Sequence, residues 1–387
     1  MIKNMDSLTS HGNILIRNTL IPMVDSLLRE TRADKILKEK IKIEDNILKI
    51  KGNDIQLNFE RIFVVGFGKA SIPMARALEE IMGRRINGGI ISSPYKGSLK
   101  RIKVMVASHP FPDERTLEAS EEIVELVKMA EEDDLVIVLV SGGASSLFEI
   151  PVDGMSIEEE ARMVRERMLK GDDIITLNKL RIKLSKVKGG KFVDYIRPAK
   201  CISLILSDVI GPPEFVGSGP TYGKGCMNIL IADNRYALKK AQKLARERGF
   251  TARISPTILS GEPKTMAKKI IESFQGRMTI WGGETTVRVE KGGIGGRNQE
   301  LSLYLAEKLD RNAGFICIGT DGIDGPTNAA GGVVDDRTII RARNLGMDIK
   351  SILKEHNSYI ALKKLEDLII TGYTGTNLAD VCIGLRL

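Results

Sequence analysis

Five loops rich in glycine and hydroxyl side chains hold most of the residues in this chain that could do chemistry. The first is Gly66-Phe67-Gly68-Lys69-Ala70-Ser71. It opens like a dinucleotide fingerprint, but Ser71 stands where a third glycine belongs and a lysine intrudes. A phosphate-binding P-loop needs Gly-Lys followed by Ser or Thr. Lys69 is followed by Ala70 and Lys191 by Phe192, so no P-loop exists. What remains is a lysine at a strand-to-helix turn, where backbone N–H groups and the helix dipole favour an anion. A plain glycine turn with a solvated lysine would use the same residues.

The second loop is Ser141-Gly142-Gly143-Ala144-Ser145-Ser146. Its glycines let the backbone approach a ligand, and its hydroxyls can donate to phosphate oxygens. Gly66, Gly68, Ser141, Gly142, Gly143, Ser145 and Ser146 are therefore the candidate nucleotide and phosphate contacts, against the simpler reading of a tight turn with capping serines. In the third loop, Asp208 follows an apolar run and could serve as a base, a metal ligand or a helix cap. Val216–Thr221 (VGSGPT) adds another anion-loop candidate. The fourth holds Glu284, in Gly-Gly-Glu-Thr-Thr, and Arg297 with Asn298, in Gly-Gly-Arg-Asn-Gln-Glu at a helix start. Arginine can grip a carboxylate or phosphate with two hydrogen bonds. Positive charge near a helix N-terminus is unfavourable, and a bound anion would reverse that sign, which favours a ligand-binding role for Arg297. The fifth loop, Gly319–Gly332, carries Asp321 and Asp324, whose spacing fails the calcium-loop pattern and suits a polar turn network equally well.

One lysine, one arginine and two carboxylates on such loops suit phosphoryl transfer, which relies on positioning and charge neutralisation by Lys, Arg and Mg²⁺. Cys201, Cys226, Cys317 and Cys382 make no metal-ligand spacing and are expected as free thiols in a reducing cytoplasm. His11, His109 and His356 are the only histidines, so a mechanism built on several of them is excluded.

The elements that must hold these loops are legible. Arg61–Val65, Leu135–Val140 and Cys201–Leu206 read as buried strands, each running into one of the loops. Helical patterns alternate with them. Thr116–Glu132 has Asp113 upstream as a cap, Ala161–Leu169 follows a Ser156/Glu159 capping-box spacing, and Arg235–Arg248 ends at Gly249. This alternation predicts α/β architecture with ligands at the C-terminal ends of the strands. After about residue 250 the texture changes. Thr279–Trp281 and Phe315–Ile318 read as strands, Thr286–Glu290 as extended, Lys291–Gly296 as a loop and Asn298–Leu309 as a helix. A domain boundary is placed near 230–255. A helix over about 14–39, expected to pack on the C-terminal half, and a hairpin over 41–58 open the chain.

Composition removes other classes. Hydrophobic residues are 42% and charged residues 28% of 387 positions, enough for a sizeable core. The longest purely apolar run, Leu135–Val140, is far short of the ~18 residues of a membrane span, and Met1–Asn13 does not read as a signal peptide. The net charge of +8 invites a nucleic-acid reading, but aromatics are only 5% and the basic residues are interleaved with acids, as in Arg162–Arg167.

In order along the chain, the motifs VVGFGKAS (64–71), SHPFPDE (108–114), LVSGGASSLF (139–148), SDVIG with VGSGPT (207–221), GGETTV (282–287), GGRNQELSL (295–303), GTDGIDGPTNAAG (319–331) and TGYTGTN (371–377) resemble the class II glycerate 2-kinases, the glycerate kinase family with a MOFRL domain. The resemblance implies an N-terminal Rossmann-like α/β/α domain over 60–240 and a C-terminal α/β MOFRL domain over 241–387, with the active site in the cleft between them. Residues 1–59 form the opening helix and hairpin. It implies ATP-dependent phosphorylation of D-glycerate at its C2 hydroxyl, with Mg²⁺, in the cytoplasm, and no nucleic-acid or membrane partner. By motif position, the family's essential lysine and arginine fall on Lys69 and Arg297, and its acidic residues on Asp208 and Glu284. The chain departs from the family at Pro212 and Asn328, where relatives often carry aspartate. Some relatives bear the label hydroxypyruvate reductase, and an NAD(P)H-dependent oxidoreductase is the alternative.

Overall fold

The computed structural model describes residues 1–287 and 292–387. The end of the expected extended stretch Thr286–Glu290 and the start of the loop Lys291–Gly296 lie outside the described residues. The chain divides into two compact units. The parallel unit comprises Arg32–Asp233 and Gly375–Asn377, and the mixed unit comprises Met1–Thr31, Asn234–Thr374 and Leu378–Leu387.

The parallel unit begins with a small antiparallel sheet of β1 (Ile41–Glu44), β2 (Ile47–Ile50) and β3 (Asn53–Gln56). Its main sheet holds β4 (Ile62–Phe67), β5 (Gly88–Ser93), β6 (Lys103–Val106), β7 (Leu135–Ser141), β8 (Lys200–Leu206) and β9 (Cys226–Ala232). They run parallel in the order β6-β5-β4-β7-β8-β9, a Rossmann-like order that reverses direction between β4 and β7. β4 and β7 are buried at every position, which is why they read as unbroken apolar runs. Both expected caps are present: Asp113 with Thr116 starts Glu114–Lys128, and Ser156 with Glu159 starts Ile157–Leu169. Beneath the sheet, Phe67 stacks on Phe148 at 4.1 Å and Phe192 meets Phe148 edge-on at 4.7 Å.

The mixed unit is built on β10 (Ala252–Ile254), β11 (Met278–Gly283), β12 (Ala313–Gly319), β13 (Gly331–Asp335), β14 (Leu368–Ile369) and β15 (Asp380–Arg386). The order is β10-β11-β15-β12-β13-β14, with only β10 and β11 parallel. The expected opening helix is two helices, Ile14–Glu30 and Ala33–Lys40, broken at Thr31 and Arg32. Ile14–Glu30 belongs to the mixed unit, while Ala33–Lys40 belongs to the parallel unit. The first is anchored by Arg17, whose fully buried guanidinium pairs with Asp335 at 2.5 Å and Asp367 at 2.8 Å. Burial would lower the Arg17 pKa, but the two aspartates override it and raise it. Asp367 is held below its ordinary value, because His11, Arg17 and Arg341 outweigh the cost of burial.

The cysteines correct the expectation of free thiols. Cys201 and Cys226 face each other across β8 and β9 and form a disulfide, as do Cys317 and Cys382 across β12 and β15. Sequence spacing hid both pairs because strand register, not separation, brings them together. Among the described residues, no helix is long and apolar enough to cross a membrane.

Replacing Arg17 by alanine removes the buried cation shared by Asp335 and Asp367, leaving Asp367 to His11 and Arg341. The expected loss is about 3–5 kcal/mol of folding stability, read from urea denaturation at neutral pH. A change below about 1 kcal/mol would contradict the assigned role.

Candidate active site

At the reversal point of the parallel sheet, the loops after β4 and β7 are tied to each other. The Lys69 amide donates to the Gly142 carbonyl at 2.8 Å, and the Ala70 amide donates to Ser141 Oγ at 3.0 Å. Gly68 adopts φ +126°, and a Cβ there would strike Ser141. Gly66 lies within β4, with Leu139 where its side chain would be. The first loop's two glycines therefore serve close packing of strand and loop, and two of its amides are already engaged. That arrangement does not match a dinucleotide fingerprint, in which the backbone is open to pyrophosphate.

Gly142 and Gly143 mark where the functional side chains gather. A Cβ on Gly142 would collide with the Asp208 carboxylate and the Asn377 amide. One on Gly143, at φ +83°, would sit 3.1 Å from the His109 ring and 3.2 Å from the Lys69 side chain. The parallel unit thus brings Lys69, Asp208, His109 and Asn377 to one glycine pair. Asp208 is partly exposed at the end of β8, and Asn377 Nδ2 donates to its Oδ2 at 2.9 Å. Ser146 turns back to donate to the Gly143 carbonyl at 3.2 Å. Ser145 lies 3.5 Å from Ser218, which donates to Asn178 Oδ1 at 2.9 Å, so the VGSGPT loop is joined to the same place.

In the mixed unit, Arg297 opens the helix Arg297–Ala306. Asp380 grips it with both oxygens: Nε donates at 2.6 Å and Nη2 at 2.9 Å. Glu284 accepts from Nη1 at 2.7 Å. Asp380 is fully buried, whereas Glu284 is 46% exposed. Burial would lower the Arg297 pKa, but Asp380 and Glu284 drive it far above the ordinary arginine value. Asp324 completes the cluster. Its two oxygens accept the backbone N–H groups of Asn298 at 3.1 Å and Gln299 at 2.9 Å, capping the helix from a distant loop. The anions required at this helix start are thus supplied by the chain. Asn298 is buried beside Asp324. Asp321 is buried as well and turns its own loop by accepting the Ile323 amide at 3.1 Å.

Sequence reasoning did not single out His109, Asn377 or Asp380. His109 and Asn377 lie inside recognised motifs, SHPFPDE and TGYTGTN, which was the available signal. Asp380 has no local signal, since it reaches Arg297 only through the pairing of β15 with β11 and β12.

Comparison with known proteins agrees with this architecture. Residues 19–247 match the family model described as "Domain of unknown function (DUF4147)", and residues 277–380 match the MOFRL family. The chain is 37% identical to the D-glycerate 2-kinase of Thermotoga maritima, over 91% of this chain and 97% of that protein. It is 34% identical to the glycerate 2-kinase of Pyrococcus horikoshii, over 96% and 97%. It is also 32% identical to a putative hydroxypyruvate reductase of Agrobacterium vitis, over 83% and 98%. The crystal structure of a glycerate kinase from Thermotoga maritima superposes with a TM-score of 0.82 at 33% identity, covering 96% of this chain and 99% of that one. Fold and sites define a two-unit α/β protein of the DUF4147–MOFRL type. The chain belongs to the MOFRL-type glycerate kinase family.

Asp324 makes the helix start sensitive to pH. Burial pushes its carboxyl up to about 6, against the pull of the Asn298 and Gln299 amides. A folded-state value above the unfolded one, ~3.9, means that the proton is held preferentially by the folded chain. The associated stability is present below about pH 4 and lost as pH rises through about 6, by roughly 3 kcal/mol in all. The stability of wild type relative to Asp324→Asn, from urea denaturation, is expected to fall by about 2 kcal/mol between pH 4 and pH 7. A pH-independent difference would refute the linkage.

Proposed function

We propose that the protein transfers the γ-phosphoryl group of ATP to the C2 hydroxyl of D-glycerate, giving 2-phosphoglycerate and ADP. The observation that carries this reading is the gathering of Lys69, on the loop after β4, and Asp208, on the loop after β8, at Gly142-Gly143 beside the reversal point of a parallel sheet. The names of the Thermotoga maritima and Pyrococcus horikoshii relatives support glycerate as the acceptor. In the reaction, the C2 oxygen attacks the γ-phosphorus, the bond to the ADP oxygen breaks, and Asp208 accepts the hydroxyl proton. Lys69 neutralises phosphate charge, with Gly142, Gly143, Ser145 and Ser146 on the phosphate side. Arg297 binds the anionic end of a substrate. Its Nη1, now paired with the half-exposed Glu284, is the edge at which a ligand carboxylate could take the place of the protein's own.

Magnesium suits these residues as an ion carried in by the nucleotide. Mg²⁺ usually keeps several waters and takes one or two protein carboxylates besides phosphate oxygens. Among the described residues no group of three or more metal-ligating side chains is assembled. Asp380 and Asp324 are buried and engaged by Arg297 and the helix amides, whereas Glu284 is half-exposed, which makes it the carboxylate of the mixed unit suited to such an ion. Its chemistry there would be to offset charge on the transferring phosphate. We assign the protein to the cytoplasm on its likeness to the bacterial and archaeal glycerate kinases.

With Mg·ATP and D-glycerate, coupling through enolase alone should give signal without phosphoglycerate mutase. A signal that requires mutase would move the transfer to C3. Lys69→Ala and Arg297→Ala should each lower kcat/KM by about 100-fold or more, the scale of losing a charged group from a phosphoryl site. Near wild-type kinetics in both would sink the assignment. Oxidation of NADH or NADPH with hydroxypyruvate would instead favour the reductase reading.

A further inference from the structure

We propose that Asn377 is a positioning residue for the proton acceptor, fixing the orientation of the Asp208 carboxylate while the hydroxyl proton is transferred. This rests on the reading of Asp208 as that acceptor. The two residues are 169 positions apart, yet Nδ2 of Asn377 donates to Oδ2 of Asp208 at 2.9 Å.

The surrounding chain is shaped to make this contact. Gly375–Asn377 is a three-residue excursion: the residues on either side, up to Thr374 and from Leu378, belong to the mixed unit, and these three belong to the parallel unit. The excursion is pinned at its start, where the Gly375 carbonyl accepts the Ala33 amide at 2.9 Å. Gly375 adopts φ +79°, and its would-be Cβ position is 3.8 Å from Pro73. Thr376 is fully buried, and Asn377 is 7% exposed. Gly142 leaves no side chain between the loop after β7 and the Asp208–Asn377 pair, so the amide and the carboxylate meet against its backbone.

An amide is the suitable donor for this task. Orientation is a large part of what a positioned base contributes, and a directed hydrogen bond to one carboxylate oxygen fixes how the other is presented to the hydroxyl. An arginine or lysine at the same point would hold the carboxylate too, but its charge would oppose protonation of the base. The neutral amide of Asn377 orients Asp208 with a single charge-assisted hydrogen bond and adds no net charge beside Lys69.

The test is a double-mutant cycle on the full chain with Mg·ATP and D-glycerate, using Asn377→Ala, Asp208→Asn and the double variant. Asn377→Ala should lower kcat at least about tenfold, with KM for both substrates within about twofold, as expected when orientation rather than binding is lost. In the Asp208→Asn background the same change should have no further effect, because a residue acting through another is silent once that other is gone. Asn377→Gln, which displaces the amide by one methylene, should show the same kcat-only loss and carries the test if the alanine variant does not fold. Wild-type kcat in Asn377→Ala alongside an inactive Asp208→Asn overturns the positioning role and leaves the reading of Asp208 standing. Effects that multiply in the double variant overturn it too. Wild-type kcat in Asp208→Asn removes the reading of Asp208 as acceptor, and the role of Asn377 with it.

Discussion

No side chain fits at residue 142, and the site of the parallel unit is organised around that exclusion. The space a Cβ would need is taken by the Asp208 carboxylate and the Asn377 amide. The neighbouring glycine, with its positive φ, makes the same allowance for Lys69 and His109. Loops from β4, β7 and β8 and the short excursion at 375–377 can therefore meet at backbone distance. Once they meet, the amides of Lys69 and Ala70 lock the first loop onto the second. The parallel sheet supplies the crevice, and a missing methyl group decides what can enter it.

The mixed unit solves a different problem, a guanidinium at the positive end of a helix. Left alone, Arg297 would oppose the dipole of the helix it begins. Asp380 offsets that charge from below, Glu284 from the solvent side, and Asp324 takes up the free amides of the first turn. The buried carboxylates differ in what they neutralise. Asp380 faces a permanent cation, whereas Asp324 faces backbone dipoles, and its carboxyl is pushed up to about 6 by burial.

Local chemistry was legible in the sequence, and register was not. The apolar runs at 61–65, 135–140 and 201–206 announce buried parallel strands, because such strands have no solvent face to alternate toward. Ser156 and Glu159, three residues apart, announce a helix start because the capping box closes over that spacing. The misfit of Arg297 with its helix pointed to a bound anion, whereas the carboxylates on the guanidinium are the chain's own Asp380 and Glu284. Asp380 is 83 residues away and delivered by strand pairing. The disulfides were hidden for the same reason, and so was the Asn377–Asp208 contact. The opening helix was overrun because helical periodicity continues past Thr31, where the chain passes from one unit to the other.

The strand that carries Asp380 has a bearing on how the chain comes to be folded. β15 lies between β11 and β12, in the interior of its sheet, although it is the last strand in chain order. The parallel sheet is complete once residue 232 is available. The mixed sheet has a gap at its centre until residues 380–386 arrive, and helix Ile14–Glu30 must wait for that sheet to pack. Contacts closed over such long loops form late and slowly. During synthesis, then, a helix made early joins a strand made more than 340 residues later, and the exposed edges of β11 and β12 are the surfaces most open to wrong pairing in the interval.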